Sequence, residues 1–234
     1  MSIWTSERLL RWAIALVWVV GLSGCLGADF PGLGAGGEVQ RDVLRTTTLY
    51  EGDVVVVGPP GYCIDKESMR KRKAQGFVML ASCESLSGVR GQEVEPVIMT
   101  LTVLPDRAGA TRPSAASVAA SMPDLAVIDS VDLNELSLVH FANGGNAAFQ
   151  GKDAKHWRGA LAINGHLIGL ALYARQGSPA AGEDGQRLLV ALAQNTKANS
   201  PVRPVVAPTA DAASGTSPPG SLGALLGGLF PDSS

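Results

Sequence analysis

Three cysteines, three histidines and one run of adjacent cations are the residues of this 234-residue chain whose types lend themselves to chemistry. Cys63 and Cys83 lack the Cys-x-x-Cys spacing that lowers a thiol pKa at a helix start, so a redox-active pair has no support. Between them lie Lys66, Arg70, Lys71, Arg72 and Lys73, balanced only by Asp65 and Glu67. That imbalance predicts a basic finger at Arg70–Lys73 that touches anionic lipid headgroups or an acidic partner, with a solvated turn as the alternative. At about 1 kcal/mol per cation near an anionic surface, the four would matter together. His156 and His166 fall at opposite ends of a predicted hairpin, roughly 23 Å apart, too far to share a metal. His140 can approach only one of them. No metal or cofactor is expected, and the reading is of a surface His156 and a turn-flanking His166. No Gly-x-Ser-x-Gly elbow is present. The glycines at 145 and 151 before Lys152 miss a phosphate loop, because Asp153 stands where Ser or Thr would bind magnesium. No catalytic residue is assigned.

The N-terminus carries Arg8 and Arg11 and then an apolar run from Trp12 to Leu22. That is the charged and apolar pattern of a secretory signal, too short to span a bilayer as a stop-transfer helix. Leu22-Ser23-Gly24-Cys25 follows and resembles the lipobox of bacterial lipoproteins. The resemblance implies a diacylglycerol thioether on Cys25, cleavage after Gly24 and acylation of the new N-terminus. Each buried CH₂ of those chains contributes roughly 0.8 kcal/mol to anchoring. Leu26, rather than Asp, follows the cysteine, and the family's sorting rule then implies the periplasmic face of the outer membrane, the inner membrane being the alternative. In an exported protein the remaining pair, Cys63 and Cys83, reads as a disulfide. It would close about 21 residues, worth on the order of 3 kcal/mol, and is expected to hold the basic finger.

The formal charge of −2 offers no basic surface for nucleic acid. Composition divides the chain into a signal peptide (1–24), a Gly-rich tether (25–38), a globular domain (39–199), a Pro/Ala/Ser-rich linker (200–220) and an apolar end (221–234). In that end Leu222, Leu225, Leu226, Leu229 and Phe230 form one helical stripe. Gly223, Gly227 and Gly228 weaken it as a free helix, which suits folding in a partner's groove. Folding back on its own domain is the alternative.

Within the domain, Val54–Val57, 77–81, 97–104 and Leu133–Phe141 read as strands, and Ser114 caps a predicted helix to Met122. Asn164-Gly165 between 156–163 and 166–173 is the strongest hairpin signal. A two-residue turn pairs Ile163 with His166, Leu161 with Ile168, Gly159 with Leu170 and Trp157 with Leu172, placing six large apolar side chains on one face. Ala160, Ala162, Gly169 and Ala171 on the other face leave room for a helix, expected to be 179–197 capped by Ser178. The pattern predicts an α+β fold, an antiparallel sheet with helices packed against it. A Trp-led hairpin before a terminal helix is similar to the PsbP-like α/β/α sandwich, whose members are mostly accessory or binding proteins.

The function expected is that of a lipid-anchored periplasmic binding or accessory protein in a cell-envelope assembly, acting through protein contacts. A small apolar-ligand carrier and a hydrolase with an unrecognised site are the rivals. Convergent titratable groups in a pocket would favour the enzyme. A deep dry cavity would favour the carrier, and an exposed apolar patch the assembly role.

Overall fold

The long hairpin is the centre of the fold in a computed structural model that describes residues 43–107 and 110–203. Strands β9 (Lys152–Ile163) and β10 (His166–Arg175) meet at Asn164 (φ 52°) and Gly165 (φ 83°), the left-handed pair of a two-residue turn. Their register matches the one expected from the turn, His166 with Ile163 through Leu172 with Trp157.

Around this pair the chain adds β1 (Thr46–Leu49), β2 (Val54–Val57), β3 (Tyr62–Ile64), β4 (Arg70–Lys71), β5 (Gly76–Ser82), β6 (Ile98–Val103), β7 (Val127–Asp132) and β8 (Leu136–Phe141). Among the described residues four α-helices accompany them: α1 (Cys83–Ser87), α2 (Ala115–Ala120), α3 (Gly145–Ala148) and α4 (Glu183–Asn199). The main sheet is antiparallel in the order β3-β5-β6-β10-β9-β8-β7, with β4 also paired to β5; β1 and β2 make a separate hairpin. The architecture is therefore α+β, an antiparallel sheet with helices packed against it.

The two faces of the sheet are covered otherwise than the side-chain sizes suggest. Trp157, Leu161, Leu170 and Leu172, with Leu138, Met99 and Leu101 beside them, pack against Leu189, Leu192 and Ala193 of α4 and against Val54 and Val56. The terminal helix thus lies on the large-residue face. On the small-residue face Ala160 and Leu167 meet Val139, Phe141 and the short helix α2 through Ala115 and Val118. Close approach of α4 is made possible by the helix itself. A Cβ at Gly185 would meet Leu172 Cδ2 at 3.0 Å and Trp157 Cδ1 at 3.1 Å.

Two helix starts illustrate local control. Ser114 caps α2 by accepting from Ser117 N–H at 3.1 Å, as its position predicts. Ser178 accepts from Ala180 N–H, but what it caps is a 3₁₀ turn, Pro179–Ala181. Gly182 (φ −119°, ψ −134°) then breaks the path, and α4 begins at Glu183. Glu183 and Asp184 in its first turn and Lys197 in its last suit the helix dipole.

Candidate functional site

A cavity of about 510 Å³ opens at the turn end of the central hairpin, where β1–β2, β4–β5 and the strand after Asn164-Gly165 converge. Asn164 builds its frame. Its side-chain amide donates to Asp53 O and to Pro201 O, both at 2.8 Å, and its oxygen accepts from Arg203 N–H at 3.3 Å. Ser200 Oγ accepts from Val55 N–H at 2.9 Å. Residues 200–203, placed in the linker by composition, therefore lie strapped across β2 and the hairpin turn.

Behind the strap sits a buried His–Asp pair. His166, 1 % exposed, donates from Nδ1 to Leu104 O at 2.8 Å, and its Nε2 lies 3.4 Å from Asp53 Oδ2. The other oxygen of Asp53 meets Arg203. Tyr50 lies over the imidazole with ring centroids 4.4 Å apart and donates its hydroxyl to Val103 O at 3.1 Å. Burial pushes the Tyr50 pKa up, and Asp106 adds to this. Tyr50 (φ 47°) and Glu51 (φ 57°) are consecutive left-handed residues that are not glycine. Each costs roughly 1–2 kcal/mol, and strain of this kind gathers at functional sites.

The predicted basic finger forms the opposite wall. Arg70 and Lys71 pair with Phe77 and Gly76, and the turn beyond them closes through Arg72 N–H to Gln75 O and Gln75 N–H to Arg72 O. Arg70, Lys71, Arg72 and Lys73 are all exposed. Arg70 donates to Glu67 O at 2.7 Å, and among the described residues no carboxylate reaches ion-pair distance of any of the four. Cys63 and Cys83 are joined as a disulfide. The finger, however, is not held by it. Cys63 pairs with Ala81 at the far end of β5, whereas β4 pairs with Gly76 and Phe77.

The other histidines serve the core. His140 donates from Nε2 to Ala181 O at 2.8 Å. His156 is buried rather than on the surface, stacked between Phe141 and Tyr173 with centroids 5.5 Å away on each side. Burial, aided by the Arg158 charge, pushes its pKa down to about 3. Its Nε2 has no hydrogen-bond partner among the described residues. No group of three or more His, Cys, Asp or Glu side chains among the described residues is placed to hold a metal ion.

Two further surfaces lie at the other end of the sheet. A groove of about 470 Å³ opens between β8 and α4, floored by Leu136, Leu161, Val190 and Ala193 and crossed by a Lys197–Glu135 ion pair. Beside it β7 is the edge strand, with Val127 47 % and Ile128 50 % exposed and Leu133 following at 37 %. Sequence reading missed β7 because Val-Ile-Asp-Ser-Val-Asp lacks clean alternation and carries two aspartates and a serine in six residues.

Cys25 and the stripe from Leu222 to Phe230 lie outside the described residues. Among those described, no helix is long and apolar enough to cross a membrane. No protein-family model, no curated protein and no solved structure matches the chain. The similarity to the PsbP-like sandwich therefore rests on element order alone.

Proposed function

We propose that the chain is a lipid-anchored accessory protein at the periplasmic face of the outer membrane, docking through β7 onto an extended segment of an envelope partner. The exposed apolar edge of β7 carries this reading. An unpaired strand edge offers a row of backbone donors and acceptors for strand addition, and Val127, Ile128 and Leu133 supply apolar area beside it. Asp129, exposed on the same strand, favours a partner segment with a basic side chain, whereas Asp132 is already paired with Arg112.

Binding fits the charged cleft better than catalysis does. Both ring nitrogens of His166 face protein acceptors, so the imidazole is not poised as a base towards the cavity. The carrier reading finds little support where it would need it most. Leu189 and Leu192 fill the interface between sheet and helix, and the adjoining groove is open and rimmed by polar groups.

A photo-crosslinking residue at position 128 in the anchored protein should yield a discrete adduct in intact cells. Val127→Lys, which charges the edge and leaves the core untouched, should remove that adduct with the thermal midpoint unchanged. An adduct that survives Val127→Lys, or no adduct at all, would refute docking at this edge.

A further inference from the structure

The cleft at the hairpin turn holds opposite charges that do not meet. Asp53 is saturated by Arg203 on one oxygen and His166 on the other, so that trio is internally compensated. What remains is sorted by element. Lys71, Arg72 and Lys73 stand on the β4–β5 arm, while Glu51 projects from the β1–β2 turn and Asp106 from the segment after β6. Among the described residues none of these five forms an ion pair. Tyr50 lies between the two walls, fixed by its hydroxyl and by its stack on His166. The left-handed backbone at Tyr50 and Glu51 holds the ring and the carboxylate in place against a conformational cost.

We propose that this cleft is a receptor for a zwitterionic phosphate–ammonium group, with the phosphate among Lys71, Arg72 and Lys73 and the ammonium between Glu51 and Asp106 against the Tyr50 ring. Three neighbouring cations suit the several acceptor oxygens of a phosphate. Two carboxylates and an aromatic face suit an ammonium. A simple anion would be repelled by Glu51 and Asp106, and a simple cation by the arm, so only a group bearing both charges satisfies both walls. The volume of about 510 Å³ is that of a small-molecule site. Ethanolamine phosphate is the smallest such group, whether free or as a phospholipid headgroup. This site is at the opposite end of the sheet from β7 and stands independently of docking there.

The test uses full-length Cys25→Ser protein, titrated by NMR with phosphoethanolamine, inorganic phosphate and ethanolamine. Phosphoethanolamine should bind at least tenfold more tightly than either half. Lys71→Ser/Lys73→Ser and Glu51→Gln/Asp106→Asn should each weaken it at least fivefold, with thermal midpoints unchanged because all four side chains are exposed. Equal affinity for inorganic phosphate, or tighter binding by Glu51→Gln/Asp106→Asn, would overturn the proposal. Co-sedimentation then separates the sources. Retention on phosphatidylethanolamine vesicles that is lost in Glu51→Gln/Asp106→Asn identifies the lipid, and binding of phosphoethanolamine without such retention identifies the free compound. Failure of phosphoethanolamine to shift any resonance of the cleft would also sink the idea.

Discussion

His140 and Trp157, paired across β8 and β9, stack with ring centroids 4.3 Å apart and planes 5° from parallel. Each donates to one of two consecutive carbonyls, His140 to Ala181 O and Trp157 to Gly182 O at 2.9 Å. Two rings on the sheet therefore hold the point where the 3₁₀ turn gives way to α4. Trp157→Phe keeps most of the packing and loses the donor, which should cost about 1 kcal/mol. Trp157→Ala should cost about 3–5 kcal/mol. Urea unfolding measures both; no loss of stability in Trp157→Phe would mean the hydrogen bond is not what anchors the helix start.

Acid sensitivity should appear well above the carboxylate range. Burial holds His156 down to about 3, so it is neutral in the fold at pH 5, and burial lowers His140 as well. The unfolded chain takes up the His156 proton from about pH 6.5 downward and the native state does not. Stability must then fall as pH drops from about 6.5 towards 3, at up to about 1.4 kcal/mol per pH unit from His156, and His140 acts in the same sense. Urea midpoints at pH 7, 5.5 and 4.5 read the slope, and His156→Gln should flatten it. A midpoint constant over that span would remove this account.

Asp153 works in the opposite sense. Burial alone would raise its pKa, but N–H donors from Gly177 at 3.0 Å and Lys155 at 2.9 Å overcome it and leave the value lowered. Its contribution is complete above the ordinary carboxylate range and disappears as pH falls through the lowered value. Asp153→Asn should therefore lower the thermal midpoint at pH 7 and have progressively less effect towards pH 2.

The Cys63–Cys83 disulfide joins β3 to the first residue of α1. Thiol labelling of the oxidised protein should find neither residue, and reduction should cost about 3 kcal/mol. Because the basic arm is held by its pairing with Gly76 and Phe77, reduction should leave backbone resonances at Arg70–Lys73 largely unshifted.

Two expectations bear on segments outside the described residues. Cys25→Ser should release the protein from membranes or leave it misprocessed, and tight fractionation unchanged by it would argue against the lipid. Deleting Ser221–Ser234 should leave the thermal midpoint unchanged while removing crosslinked partners, whereas a large fall in midpoint would mean that the segment packs on its own domain.

Local rules made the hairpin legible. Asn164-Gly165 allows one tight turn, period-two alternation fixes the faces, and every cross-strand pair from 157 to 172 follows. Ser114 as a cap and Val54–Val57 as a strand were equally plain, since each depends on a few adjacent side chains. The short strands β1, β3, β4 and β7 were not, for they are strands only because a neighbour pairs with them. Which helix lies on which face was also beyond local reading. Small residues on one face announced room, but the larger apolar area of the other face and the gap left by Gly185 decided where α4 packs. The cleft is the extreme case. Its cations were visible as a charge run, yet Asp53 and His166 are 113 positions apart. A pattern within one window cannot report that two windows will meet, because the free energy that joins them comes from burial of the whole sheet.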